Sequence, residues 1–137
     1  MNKSKFSAGG AVTEETLVFG AGSKITSSKA SLGKGNDLLE FNLGSRSTGG
    51  KYDLGEGADT AVFGVGSRVR AGNRIDLGKD SDIDTVDIAN AKSVKGLVVT
   101  NFGKEDVLRI GGNTISYDQI LAQKGKVDGV IIKPQDA

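Results

Sequence analysis

The sequence predicts an all-β chain wound as a parallel β-solenoid (a β-roll or β-helix). It would have about four to five rungs of ~22 residues and a short C-terminal helix–strand cap. Three observations predict this. The 137 residues include 21 Gly but one Pro, so Gly is about twice its usual ~7% share. Segments of near-constant length repeat end to end. Within them, apolar residues recur at the same positions with a period of two.

The first unit, TLVFGAGSKITSSKASLGKGND, runs from Thr16 to Asp37. The second, LLEFNLGSRSTGGKYDLGEGAD, runs from Leu38 to Asp59. The third, TAVFGVGSRVRAGNRIDLGKDSDID, ends at Asp84 and is longer by three residues, and the fourth, TVDIANAKSVKGLVVTNFGKED, ends at Asp106. A fifth opens with Val107-Leu108-Arg109-Ile110. The opening segment of each unit aligns Phe19, Phe41, Phe63, Ile88 and Ile110 in one column. Leu17, Leu39, Ala61, Val86 and Leu108 stand two places earlier, and Ala21, Leu43, Val65 and Asn90 two places later. Alternation of period two marks a strand with one buried face. A second strand is expected before each acidic turn, with Ala30, Tyr52, Ile75 and Val99 in one column and Leu32, Leu54 and Leu77 two places on. Two short strands bury nothing alone, but stacked units bury a continuous core. The spacer around Ser23–Lys29, Ser45–Lys51 and Ser67–Arg74 is expected to be a turn.

Composition removes whole classes of chemistry. The chain has no His and no Cys, which excludes an imidazole base, a thiol nucleophile, a Cys/His zinc site and any disulfide. The acids Asp53, Asp76 and Glu56 make no evident pair in a cleft, so no enzyme is expected. With 18 Lys+Arg against 17 Asp+Glu, a bulk electrostatic nucleic-acid binder is not expected. The longest apolar runs fall far short of the ~20 residues of a spanning helix, and the N-terminus lacks the apolar core of a signal peptide.

The turns carry the remaining chemistry. LGKGND (Leu32–Asp37), LGEGAD (Leu54–Asp59), LGKDSD (Leu77–Asp82) and FGKED (Phe102–Asp106) resemble the Gly-Gly-x-Gly-x-Asp turns of RTX proteins, the hemolysin-type calcium-binding repeats. VVTNFGKEDVLRIGGNTISYDQIL (Val98–Leu121) resembles the segment that closes RTX β-rolls. The resemblance spans roughly residues 16–133 and implies possible Ca²⁺ binding at the acidic turns. Gly33, Gly35, Gly55 and Gly57 would offer backbone carbonyls beside the carboxylates of Asp37 and Asp59. A second site would combine Asp59 with Asp80, Asp82 or Asp84, and a third would use Asp106. A second reading stays open, in which these Asp only form turns and stack as a ladder bonded to local N–H groups.

Lys24, Arg46, Arg68 and, one place off, Lys92 form a cationic column. It reads either as a binding surface for an acidic partner or as a solvated row that protects an edge. At the C-terminus, Ser116-Tyr117-Asp118-Gln119 has capping-box spacing and predicts a short helix to about Gln123. A strand over Val127–Lys133 follows, so residues 113–137 form a cap. Residues 16–112 form the solenoid. Residues 1–15 read as an arm that docks on another subunit. The expected role is a non-enzymatic structural or assembly protein of a phage virion: capsid decoration, cement, or a tail-fibre or spike part. Its partners would be other virion proteins or copies of itself, with no membrane and no nucleic acid. The alternative is a calcium-binding RTX module of a type I secreted, extracellular protein.

Overall fold

A computed structural model describes residues 5–7, 16–26, 29–70, 72–78, 82–90 and 94–134. They form a stack of parallel strands, a β-solenoid of about four turns with a helix and strands at its C-terminal end. In the first full rung, β2 (Thr16–Phe19), β3 (Lys24–Thr26) and β4 (Lys29–Ser31) follow one another. β5 (Leu38–Phe41), β6 (Arg46–Thr48) and β7 (Lys51–Asp53) repeat them, as do β8 (Thr60–Phe63), β9 (Arg68–Val69) and β10 (Arg74–Asp76). β11 (Thr85–Ile88) and β12 (Val98–Phe102) make the fourth rung, and β13 (Val107–Ile110) starts the fifth.

Each rung therefore has three sides rather than two in the first three turns. The spacer expected as a plain turn holds a short strand, and β3, β6 and β9 form a three-stranded sheet. Its inward column is Ile25, Ser47 and Val69, all buried. The larger sheets are a six-stranded one (β2, β5, β8, β11, β13, closed by β14, Asn113–Ile115) and a seven-stranded one. The latter runs β1 (Lys5–Ser7), β4, β7, β10, β12, β16 (Val130–Pro134), β15 (Lys126–Val127). β1 pairs in parallel with β4, so Lys5–Ser7 joins the chain's own sheet. The rest of the expected arm lies outside the described residues.

The sequence columns are the structural registers. Phe19 pairs with Phe41, Phe41 with Phe63, Phe63 with Ile88 and Ile88 with Ile110. Phe19 and Phe41 stack at 5.0 Å, and Phe41 and Phe63 at 5.2 Å with rings 8° from parallel. Tyr52 meets Phe41 edge-on at 5.3 Å. Ring pairs in these geometries add ~0.5–1.5 kcal/mol each beyond their burial. Ala30, Tyr52, Ile75 and Val99 also pair in series. The longer third unit takes up its extra residues in two places. Gly50 bonds to Asn73, 23 residues on, and Asp59 to Asp84, 25 residues on.

One column differs from expectation. Leu43 and Val65 are 62% and 69% exposed, because the strands end at Phe41 and Phe63. The chain then bends: the Ser45 N–H donates to the Asn42 carbonyl at 3.0 Å, and Gly44 has φ +74°. A positive φ at the third residue is what a type II turn requires, and it throws the second residue outward. The C-terminal helix α1 (Tyr117–Ala122) is capped as expected, with a reciprocal Ser116–Gln119 capping box. The strand expected over Val127–Lys133 is instead the hairpin β15–β16. Its second strand lies parallel on β12. Among the described residues no helix is long and apolar enough to cross a membrane.

Candidate functional site: the stacked turns and charge columns

The acidic turns fold back between the seven- and six-stranded sheets. Asp37, Asp59, Asp84 and Asp106 fall in one column there, and all four are buried. The column is bonded rung to rung. The Asp37 N–H donates to Asp59 Oδ1 at 2.9 Å, the Asp59 N–H to Asp84 Oδ1 at 2.8 Å, and the Asp84 N–H to Asp106 Oδ1 at 2.9 Å. Main-chain bonds run alongside, from the N–H groups of Thr60, Thr85 and Val107 to the carbonyls of Asp37, Asp59 and Asp84. Asp106 ends the series and also accepts from the Gly103 N–H through Oδ2 at 2.6 Å. Buried turn amides must find acceptors, and here Asp59, Asp84 and Asp106 each supply one to the rung before. The second oxygen, Oδ2, of Asp37, Asp59 and Asp84 is also buried.

The glycines explain how the turns come so close. Gly55 has φ +79°, and a Cβ there would overlap the Gly33 carbonyl oxygen. Gly78 stands over Gly55, and Gly57 over Gly35, in the same way. Only Gly meets both demands, a left-handed backbone and a neighbour's carbonyl where Cβ would be. Asp53 and Asp76 accept from the Gly55 and Gly78 N–H groups at 3.0 and 2.9 Å, the Asx-turn bond two residues on. These two acids are in register on neighbouring strands. Burial, then the Asp76 charge, raises the Asp53 carboxyl above the usual carboxylate range, against the lowering effect of the Gly55 N–H. They line an open depression with Lys51 and Arg74 rather than a cleft.

Ca²⁺ takes six to eight oxygens at ~2.3–2.6 Å. The buried carboxylates stand one per rung along the stack, and those of Asp59, Asp84 and Asp106 face a backbone donor of the preceding rung. Among the described residues no three acidic side chains group as a metal site. The Gly33, Gly35 and Gly55 carbonyls lie against the next glycine of their column. As placed, these carboxylates are spread one per rung rather than gathered round one point. Asp82 is exposed, off the column, and Asp80 lies outside the described residues.

No protein-family model, no curated protein and no solved structure matches the chain.

The cationic column is real in register: Lys24 pairs with Arg46 and Arg46 with Arg68 on the outer face of the three-stranded sheet. All three are exposed. Lys92 lies outside the described residues. A second cationic column, Lys29, Lys51 and Arg74, stands on the adjoining sheet.

A buried polar cluster escaped the sequence reading. Asn73 Oδ1 accepts from the Gly50 N–H at 2.9 Å and from Ser47 Oγ at 2.7 Å. Its Nδ2 donates to the Ser47 and Arg70 carbonyls, each at 2.8 Å. The Tyr52 hydroxyl bonds to Ser47 Oγ at 2.5 Å. Burial raises the Tyr52 pKa above its ordinary value, and the Ser47 bond partly offsets this. The cluster clamps the corner where the third unit carries one more residue. The only signal in the sequence is that insertion, with an Asn beside it.

Proposed function

We propose that this chain is a non-enzymatic structural and assembly protein, a component of a phage-like particle, with copies of itself or other particle proteins as neighbours. One observation carries the structural part. The distinctive side chains are used between rungs: the Asp column, the Phe stack and the Asn73 clamp all bond one rung to the next. The depressions on the outer faces are open. A stack held this way suits a rigid support rather than a reaction centre. The particle setting rests on the sequence, through the polar N-terminal segment read as a docking arm, of which Lys5–Ser7 pairs instead with β4 of its own chain. Fractionating the source material tests it. The full chain should sediment with particles, and a chain lacking Met1–Thr13 should stay in the soluble fraction. Recovery of both forms from the soluble fraction would overturn the assembly reading.

The competing proposal is a calcium-binding RTX-like module, favoured by the Gly-x-Gly-x-Asp turns and their stacked glycines. The inward direction of the Asp column weighs against it.

A further inference from the structure

We propose that the outer face of the three-stranded sheet binds an extended acidic polypeptide segment of a partner protein. Its three strands read Lys-Ile-Thr, Arg-Ser-Thr and Arg-Val, with no acid among them. Lys24, Arg46 and Arg68 stack in register, and Arg70 follows Arg68 by two. Stacked like charges destabilise a sheet. Edge protection can account for Lys24 and Arg68 on the outer strands β3 and β9 but not for Arg46, which stands on β6, the central strand of the β3–β6–β9 order. A central strand has no open edge to guard. Nor does it follow from a basic chain, since the net charge is +1. An anionic partner would turn that repulsion into attraction. Arg forks bind carboxylates through two parallel hydrogen bonds.

The surroundings select a polypeptide among polyanions. Just before β6 and β9, the corner turns expose Leu43 and Val65. They stand three residues before Arg46 and Arg68. Acidic and apolar side chains together match such a face, whereas a sugar or phosphate chain leaves the apolar pair unused. Nucleic acid lacks a platform on this face as well, since its three strands carry no aromatic residue. Base stacking on exposed aromatics is the usual way to hold a single strand.

The inference rests on the assembly reading in one respect, that the partner is a protein. The particle fractionation and the assay below can fail separately, since the assay uses the purified full chain. The probes are a labelled Glu/Leu peptide of extended design, a heparin fragment and a single-stranded oligonucleotide, followed by anisotropy at low and physiological salt. The Glu/Leu peptide should bind, more weakly as salt rises. Arg46→Glu with Arg68→Glu should cost at least about tenfold in affinity, as for the loss of charge-assisted contacts. Leu43→Ser with Val65→Ser should cost several-fold. Arg46→Gln with Arg68→Gln serves if the charge reversal unfolds the chain, and should weaken binding in the same direction. Absence of peptide binding, or equal binding by the neutral or reversed variants, overturns the proposal. So does binding of heparin or the oligonucleotide as tight as that of the peptide.

Discussion

Two of the columns of like charge along this molecule behave oppositely. Asp37, Asp59, Asp84 and Asp106 stack inside, where the carboxylates of the last three each accept an N–H from the preceding rung. Lys24, Arg46 and Arg68 stack outside, on a face whose strands carry no acid. Both columns follow from one repeat of about 22 residues, since a parallel stack brings each position onto its own copy. What separates them is what surrounds the charge. The inner column is tied into the backbone, so removing a member should cost stability. Arg46 and Arg68 stand on strands that carry no acid, so removing either should cost binding and leave stability nearly untouched.

The close rung spacing beside the inner column is the easiest feature to break. Gly55→Ala should destabilise by about 2–5 kcal/mol, combining left-handed strain with overlap on Gly33. Chemical denaturation measures it, and a loss below ~1 kcal/mol would show that the turns can spread without penalty. Asn73→Ala should cost about 2–3 kcal/mol, because it strands the buried Gly50 N–H and removes the donor to the Ser47 carbonyl. The same measurement reads this, with Ser47→Ala expected to cost less.

Outside, effects should shrink. The raised Asp53 carboxyl binds its proton more tightly folded than unfolded, so its charge opposes folding above that raised value. That penalty is relieved as pH falls through the folded value toward the ordinary ~3.9. Asp53→Asn keeps an oxygen for the Gly55 N–H and should stabilise at neutral pH, within the ~0.5 kcal/mol usual at surfaces. The gain should vanish below the ordinary carboxylate range; a gain that persists in acid would assign it to something other than charge. Arg46→Gln should be the smallest, a few tenths of a kcal/mol toward greater stability as stacked repulsion is relieved. A clear loss would mean that Arg46 is held by its own chain.

Much of this was legible in the residues. The repeat length, the Phe19–Phe41–Phe63 stack and the Ser116–Gln119 cap all follow from spacing, because spacing is what a parallel stack and a capping box constrain. The third strand was not. It is two or three residues long, and its inward column is Ile25, Ser47 and Val69, so no steady apolar signal marks it. Leu43 and Val65 continue the period-two pattern, but the turns at Gly44 and Gly66 end the strands before them. The Asp column was the hardest to orient. An Asp after a Gly-rich turn can face solvent, a cation or the next rung's amide, and these choices share one sequence signature. Direction is set by where the neighbouring rung places its N–H, which only the assembled stack specifies.

The account turns on that direction, and thermal melts of the wild type, Asp59→Asn and Asp59→Ala, each with calcium and with chelator, test it most directly. Asn retains an oxygen to accept the Asp37 N–H but loses the charge a cation would need. The ladder account predicts that Asp59→Asn melts near the wild type. Asp59→Ala should lose about 1–3 kcal/mol, the cost of a stranded buried N–H, and calcium should shift none of the three. Equal losses in Asp59→Asn and Asp59→Ala, with a large calcium-dependent rise confined to the wild type, would contradict it.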